Sequence, residues 1–229
     1  GYSVSIGESS LEDIRGYSKY AKDFPYVGLR EKGAKEKVEA ICGHSVVDTV
    51  DPVLLLTRED WETFVDKSSP LAKEKYLLCY LIDKKPIKQN MAIAEQIAKE
   101  RGLKIKYIWM HLEKESFRGN FINDASPVEF LNYMYHASAV MTDRYHGTVF
   151  STIFNKPMYS VINNRQSTDS RIRDYLTLIG LESRIFYGDA PVIPKEEIDY
   201  TEVDPKIRSA ADASKAFLQS AIDNERVVK

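Results

Sequence analysis

The stretch Lys75-Tyr-Leu-Leu-Cys-Tyr-Leu-Ile82 is a continuous apolar run, which is typical of a parallel β-strand buried on both faces. After it, apolar residues recur at helical spacing over residues 87–98, and Gly102 predicts the end of that helix. A second apolar run over residues 105–110 predicts the next strand. Strand, helix and strand in this order form a βαβ unit, so we predict a parallel sheet and an α/β fold.

The same alternation continues toward the C-terminus. Ser126 followed by Pro127 is a typical helix start, because serine caps the first turn and proline fits the first helical position. The further predicted elements are helix 128–136, strand 139–141, helix 147–155, strand 158–162, helix 171–179 and a final amphipathic helix over 205–225. This half of the chain has its own complete alternation and is expected to fold unaided.

The first part of the chain shows a shorter version of the pattern. It predicts strand 2–6, helix 11–22, strand 26–29 and helix 32–41. Residues 57–75 are polar and loop-like, and Ser68-Ser69-Pro70 is the predicted link between two lobes. Because a strand opens the chain directly, we expect apolar surface on this part to be covered by self-association or by a separate N-terminal part.

Composition limits the classes of ligand. The 229 residues are 43% hydrophobic and 29% charged, with a formal net charge of −2. Such a chain has no overall positive field, so nucleic acid is not a predicted partner and any bound anion must be held locally. No apolar stretch approaches the about 20 residues of a membrane helix, and Cys42 and Cys79 resemble reduced core cysteines. We expect a cytoplasmic location, either free or peripheral to the inner face of the membrane.

One segment, residues 140–154, concentrates polar chemistry at the end of a predicted buried strand. It delivers Asp143, Arg144 and His146 onto a helix start, and open α/β sheets bind ligands at this edge. Unsatisfied N–H groups at Gly147 and Thr148 would favour an anion there, and an arginine fork suits carboxylate or phosphate. The alternative is structural: Asp143 caps the helix, Arg144 points to solvent and His146 packs. Spacing alone leaves both open.

The stretch Thr142-Asp-Arg-Tyr-His-Gly-Thr-Val-Phe-Ser151, followed by Asn155-Lys-Pro157, resembles the signature of the polysaccharide pyruvyl transferase family. Three further segments agree in order with that family: Gly28-Leu-Arg-Glu31, residues 50–56 with Trp61 after them, and residues 126–131. The resemblance implies a GT-B-like fold of two Rossmann-like lobes. Residues 1–67 would then be the closing part of an apparently truncated N-terminal lobe, and residues 68–229 the C-terminal Rossmann-like domain.

The resemblance also implies a chemistry. The donor would be phosphoenolpyruvate, a co-substrate rather than a cofactor, and the acceptor a saccharide of a cell-surface polysaccharide or its lipid-linked precursor. His146 matches the family's acid, while Arg144 and Arg30 match donor-binding positions. Arg171 is our choice, over Arg165 and Arg173, for the cation that some members carry after the histidine-bearing helix. Asp143 and His146 alone do not make a metal site, so no metal is predicted.

Two other functions stay open at this point. A GT-B-like sugar-nucleotide glycosyltransferase shares the fold, and fold does not fix function. A non-catalytic anion-binding fragment is the third possibility, since we expect residues 1–229 by themselves to be nearly inactive in pyruvyl transfer.

Overall fold

The computed structural model describes residues 1–7, 9–82, 87–108, 120–162, 170–187, 193–194 and 196–227, with backbone alone at 87, 170 and 225–227. The strands are β1 Gly28–Leu29, β2 Val47–Asp48, β3 Tyr76–Tyr80, β4 Lys104–Ile108, β5 Asn120–Ile122, β6 Ala139–Thr142, β7 Met158–Ile162 and β8 Ile185–Tyr187. The helices are α1 Leu11–Arg15, α2 Ser18–Ala21, α3 Lys35–Cys42, α4 Arg58–Glu62, α5 Ile87–Arg101, α6 Pro127–His136, α7 Tyr145–Ile153, α8 Ser170–Ile179 and α9 Tyr200–Val227.

The chain divides into two compact units. The first contains Gly1–Leu56, Thr168–Gly180 and Thr201–Lys229, and the second contains Thr57–Ser167 and Leu181–Tyr200. From the sequence we predicted a domain boundary at residue 67, with residues 68–229 in one C-terminal domain. The units instead change at residue 56, and two C-terminal segments belong to the first. The domain boundary at residue 67 stays a prediction.

The second unit is built on a six-stranded sheet in the order β5-β4-β3-β6-β7-β8, and every pairing is parallel. If the strands of this sheet are numbered from one to six along the chain, their order across the sheet is 3-2-1-4-5-6. This order reverses direction between β3 and β6, which makes a topological switch point there. The predicted α/β fold with a Rossmann-like parallel sheet is confirmed.

The middle strands of this sheet are buried because their side chains are apolar on both faces. All of β6 and β7 is buried, and only Tyr80 of β3 is partly exposed. From one side, α5 packs Met91, Ala94 and Ile97 against the sheet. Both cysteines are buried free thiols, and burial raises the pKa of the Cys79 thiol. The predicted reduced core cysteines are therefore confirmed.

Short elements account for most differences from the sequence-based assignment. The polar segment after residue 57 contains α4, which begins with a reciprocal capping box between Thr57 and Asp60. That capping box is a sequence signal, but five residues are too few to show helical periodicity. The three-residue strands β5 and β8 were missed for the same reason. The predicted helix over 11–22 is divided into α1 and α2.

The first unit contains a small parallel sheet. β1 pairs with β2, and Val4 forms a bridge to Leu29 in place of the predicted full strand over residues 2–6. Its core includes Leu29, Val38 and Ile41, with α3 ending at Gly43 in the left-handed conformation, φ 78°.

The final helix α9 packs within this first unit. The buried backbone N–H of Val50 donates to Ser214 Oγ at 3.0 Å, and Ser214 is 2% exposed. At β1, a Cβ added to Gly28 would lie 2.7 Å from the Thr49 side chain and 3.0 Å from the ring of Phe217. The apolar stripe of α9 that the sequence predicted is therefore used against residues far earlier in the chain.

Replacing Ser214 with Ala should lower the free energy of unfolding by about 1–3 kcal/mol, because the buried N–H of Val50 loses its acceptor. Ser220→Ala is the matched control, since Ser220 lies exposed on the same helix and should stay within about 0.5 kcal/mol of wild type. Urea unfolding of both variants measures the difference. Equal stabilities would contradict the packing of α9 described above.

Candidate functional site

The candidate site lies at the carboxyl end of β6, next to the carboxyl end of β3. β6 ends at Thr142 and α7 begins at Tyr145, so only Asp143 and Arg144 connect them. Tyr80 of β3 pairs in register with Thr142 of β6. The connection therefore emerges at the switch point of the sheet, which is the edge where open α/β sheets bind ligands.

Thr142 fixes the geometry of this connection. Its hydroxyl donates to the Tyr80 carbonyl at 2.8 Å and accepts from the Arg144 N–H at 3.0 Å. A Cβ added to Gly147 would lie 2.8 Å from the Thr142 Cβ, closer than real Cβ contacts. Glycine at position 147 thus lets α7 start directly against β6, a packing role that the sequence did not predict.

Asp143 is buried and carries two kinds of hydrogen bond. Its carboxylate accepts from the Ile82 N–H at 3.0 Å and from the Arg144 Nε at 3.1 Å, and the residue is 2% exposed. The residue at the N-cap of α7 is Arg144, which makes no side-chain cap. The structural alternative in which Asp143 caps the helix is therefore wrong.

Arg144 is held at the edge of the sheet rather than released to solvent. Its side chain is 31% exposed and forms the ion pair with Asp143. The hydroxyl of Tyr80, on the adjacent strand β3, interacts electrostatically with both Arg144 and Asp143. Burial raises the pKa of its hydroxyl most, while Arg144 lowers that pKa and Asp143 raises it. Tyr80 was missed from sequence because it reads as one more member of an apolar strand.

His146 is exposed, in contrast to the buried residues on either side of it. It is the second residue of α7, and its ring lies edge-on to that of Tyr145 with centroids 5.4 Å apart. The alternative in which His146 packs in the core is therefore wrong. An exposed imidazole and a fixed guanidinium stand two residues apart, at one turn between strand and helix.

The start of α7 differs in one respect from the sequence-based expectation. The Thr148 N–H donates to the Arg144 carbonyl at 3.0 Å, so the expectation that this N–H is unsatisfied is wrong. The Thr148 side chain is buried and lies 2.8 Å from Ser160 Oγ. Tyr145, His146 and Gly147 are the first three residues of α7. The N–H groups at these positions have no acceptor within the helix itself.

Arg30 lies in the first unit, directly after β1. It forms an ion pair with Asp51, with side chains 16% and 2% exposed respectively. The same aspartate also accepts the Val53 N–H at 3.1 Å, so it is fixed from a second side. From the sequence we predicted a donor-binding role for Arg30 but no role for Asp51. Asp51 nevertheless lies in one of the segments that resemble the family.

Arg171 also belongs to the first unit, at the second position of α8. Its Nε lies 3.8 Å from Glu31 Oε1, with side chains 37% and 1% exposed. Glu31 directly follows Arg30 in the chain. The partner of Arg171 is therefore the residue next to Arg30, within the same unit. Arg165, an alternative to Arg171, lies outside the described residues.

Within the part of the chain that the structure describes, no group of three or more His, Cys, Asp or Glu side chains is arranged to hold a metal ion. The helices among these residues include none whose length and apolar content would let it cross a membrane.

A family model described as polysaccharide pyruvyl transferase matches residues 2–165. Among curated proteins, no sequence matches this chain.

Three solved structures show the same fold. UDP-N-acetylglucosamine 2-epimerase from Rickettsia bellii has a TM-score of 0.53 at 13% identity, over 90% of this chain and 61% of that one. The Methanocaldococcus jannaschii enzyme, in complex with UDP-GlcNAc and UDP, has a TM-score of 0.52 at 14% identity, over 81% and 54%. The Neisseria meningitidis enzyme bound to UDP-GlcNAc has a TM-score of 0.50 at 12% identity, over 96% and 68%. This chain spans little more than half the length of the first two, and the likeness confirms the predicted GT-B-like fold class.

Replacing Gly147 with Ala should lower the free energy of unfolding by about 1–3 kcal/mol, because the added methyl group overlaps the Thr142 side chain. The double variant Thr142→Ala, Gly147→Ala should be more stable than the sum of the single changes predicts, since the two sites share one space. Chemical unfolding of the four proteins gives the coupling. Strict additivity would argue against the close approach of α7 to β6.

Proposed function

Because this chain belongs to the polysaccharide pyruvyl transferase family, we propose that it transfers the pyruvyl group of phosphoenolpyruvate to two hydroxyls of a saccharide. The product is a cyclic ketal with a free carboxylate, and phosphate is released. The observation that supports this proposal best is the pairing of an exposed His146 with the ion-paired Arg144 at the switch-point edge. An acid and an anion-binding group are the two components that this donor requires.

The chemistry assigns His146 to proton transfer. Protonation of the methylene carbon of the enol makes a cation-like centre at C2, which the first acceptor hydroxyl attacks. The second hydroxyl then replaces the phosphate at C2, so two C–O bonds form and the C2–O bond to phosphate breaks. Histidine suits the first step, since its ordinary pKa lies near neutrality and a positioned acid accelerates proton transfer. The proton lost by the first hydroxyl restores the acid, and the proton lost by the second hydroxyl leaves with the phosphate.

The donor also brings a carboxylate and a phosphate, which must be held by cations or N–H groups. We assign one of these roles to Arg144, with the first helical N–H groups of α7, including that of Gly147, beside it. Thr148 contributes by packing α7 against Ser160 rather than through its N–H. In the first unit, Arg30 and Arg171 are the donor-binding candidates, each beside a buried acid.

The remaining parts of the proposal follow the family. The acceptor is a saccharide of a cell-surface polysaccharide or its lipid-linked precursor, and no cofactor or metal takes part. The enzyme works in the cytoplasm or at the inner face of the membrane.

A second candidate ligand is a sugar nucleotide, because the three structurally similar enzymes are UDP-GlcNAc 2-epimerases. In that function, as in a glycosyltransferase, Arg144 would hold a diphosphate and His146 would act as a base. Thermal shifts with phosphoenolpyruvate and with UDP-GlcNAc separate the two, since a ligand stabilises only the protein that binds it. A shift with phosphoenolpyruvate but no phosphate release with a saccharide would favour the non-catalytic anion-binding fragment.

Replacing His146 with Gln in the full-length protein should lower turnover by about 10² to 10⁴, while phosphoenolpyruvate affinity stays within a few-fold of wild type. The reason is that glutamine can fill the space but cannot donate a proton to carbon. Phosphate release measures turnover, and calorimetry measures binding. His136→Gln is the control, because His136 contacts the Asp66 carbonyl and lies outside the site. Turnover of the His146 variant near that of wild type would remove this residue from the mechanism.

Replacing Arg144 or Arg30 with Ala should weaken phosphoenolpyruvate binding by about 1.5–3 kcal/mol, the usual worth of a hydrogen bond to a charged group. Lysine at either position should restore only part of the affinity, since it lacks the guanidinium fork.

Calorimetry on the full-length protein measures both series. Arg58→Ala is the matched control. Arg58 forms an ion pair with Glu62 on α4, so this substitution removes the same charge outside the proposed donor site. If both alanine variants bind as tightly as this control, the donor site has been assigned to the wrong residues.

A further inference from the structure

Asp143 presents an electrostatic problem for an anion-binding site. Its carboxylate is buried and directly contacts Arg144, the cation that the proposed function assigns to the anionic donor. By charge alone, a negative group at this place weakens the attraction of an anion to the guanidinium. A buried carboxylate here must therefore contribute something that outweighs its repulsion.

The hydrogen bonds of Asp143 indicate what this contribution is. One carboxylate oxygen accepts both the Ile82 N–H, at 3.0 Å, and the Arg144 Nε, at 3.1 Å. Ile82 follows β3 and Arg144 follows β6, so one carboxylate joins the chain after each of the two switch-point strands. The contact is also charge-assisted, which makes it stronger than a hydrogen bond between neutral groups.

Arg144 is fixed at both of its ends by this arrangement. The Thr142 hydroxyl accepts the Arg144 N–H and donates to the Tyr80 carbonyl, which fixes the backbone. At the other end, Asp143 holds the Nε. Because a guanidinium is planar, a contact at Nε also sets the plane in which its two terminal nitrogens lie. An arginine ordered before binding loses less side-chain freedom when the ligand arrives.

We propose that Asp143 is a positioning residue that fixes the Arg144 guanidinium for the phosphoenolpyruvate anion. This inference rests on the proposed function and extends it to a residue that does not itself touch the donor. It predicts an effect of opposite sign to the simple charge argument. Removing the negative charge should weaken donor binding, although the site becomes more positive.

The test is a double-mutant cycle on the full-length protein. Asp143→Asn keeps the size of the side chain but leaves one acceptor oxygen without charge for two donors. We expect phosphoenolpyruvate affinity to fall about 10-fold in this variant, and by less than about two-fold when the same change is made in Arg144→Ala. Asp66→Asn is the matched control, since Asp66 is exposed, accepts from Ser68 and should leave affinity unchanged.

Each outcome decides between positioning and its alternatives. Unchanged or tighter binding by Asp143→Asn would overturn the inference, and so would an equal loss in the Arg144→Ala background, which would indicate a purely structural link between β3 and β6. A wild-type protein that binds no phosphoenolpyruvate would overturn the proposed function itself.

If Asp143→Asn does not fold, Asp143→Glu supplies the same test with the charge retained. The longer side chain moves the carboxylate by about one C–C bond, roughly 1.5 Å, and so displaces the guanidinium. A loss of about 10-fold that again disappears in Arg144→Ala supports positioning. Wild-type affinity in this variant would show that charge near Arg144 suffices and that its position does not matter.

Discussion

The parallel pairing of β3 with β6 is the constraint on which the candidate site depends. The register that sets Leu77 opposite Ala139 also sets Tyr80 opposite Thr142, so both strands end at the same level. One residue of slippage would turn the side chains of either strand to the opposite face of the sheet. The hydrogen bonds from Thr142 to Tyr80 and from Ile82 to Asp143 both exist because this register is kept.

Burial makes that register specific. β3 and β6 are apolar on both faces, and residues such as Leu77, Met141 and Val140 are wholly inside. The charged side chains that follow β6 therefore come after the strand has ended, which concentrates Asp143, Arg144 and His146 at one edge. The same burial makes Asp143 dependent on its partners, because an unpaired carboxylate in this place would be strongly destabilising.

Each of the three candidate donor-binding arginines has a buried acidic neighbour. Arg144 contacts Asp143, Arg30 contacts Asp51, and Arg171 lies near Glu31, and all three acids are at most 2% exposed. A buried acid orders the partly exposed cation beside it, although its negative charge also weakens the attraction of an anion. The pattern occurs in both compact units, so it does not depend on a single local motif.

The sequence by itself determined the parallel α/β fold, the Rossmann-like second half and the motif around His146. These features rest on patterns within about ten residues, such as apolar runs, helical spacing and a strand that passes directly into a helix. Only the tertiary structure decided that Asp143 is bound to Ile82, 61 residues earlier, and that Thr148 packs on Ser160 with its N–H inside the helix. It also decided that α8 and α9 belong to the first unit, with Ser214 bonded to Val50. Such contacts depend on which strands and helices become neighbours. An amphipathic stripe or an apolar run in the sequence predicts that a segment is buried, but it does not identify the segments that pack against it.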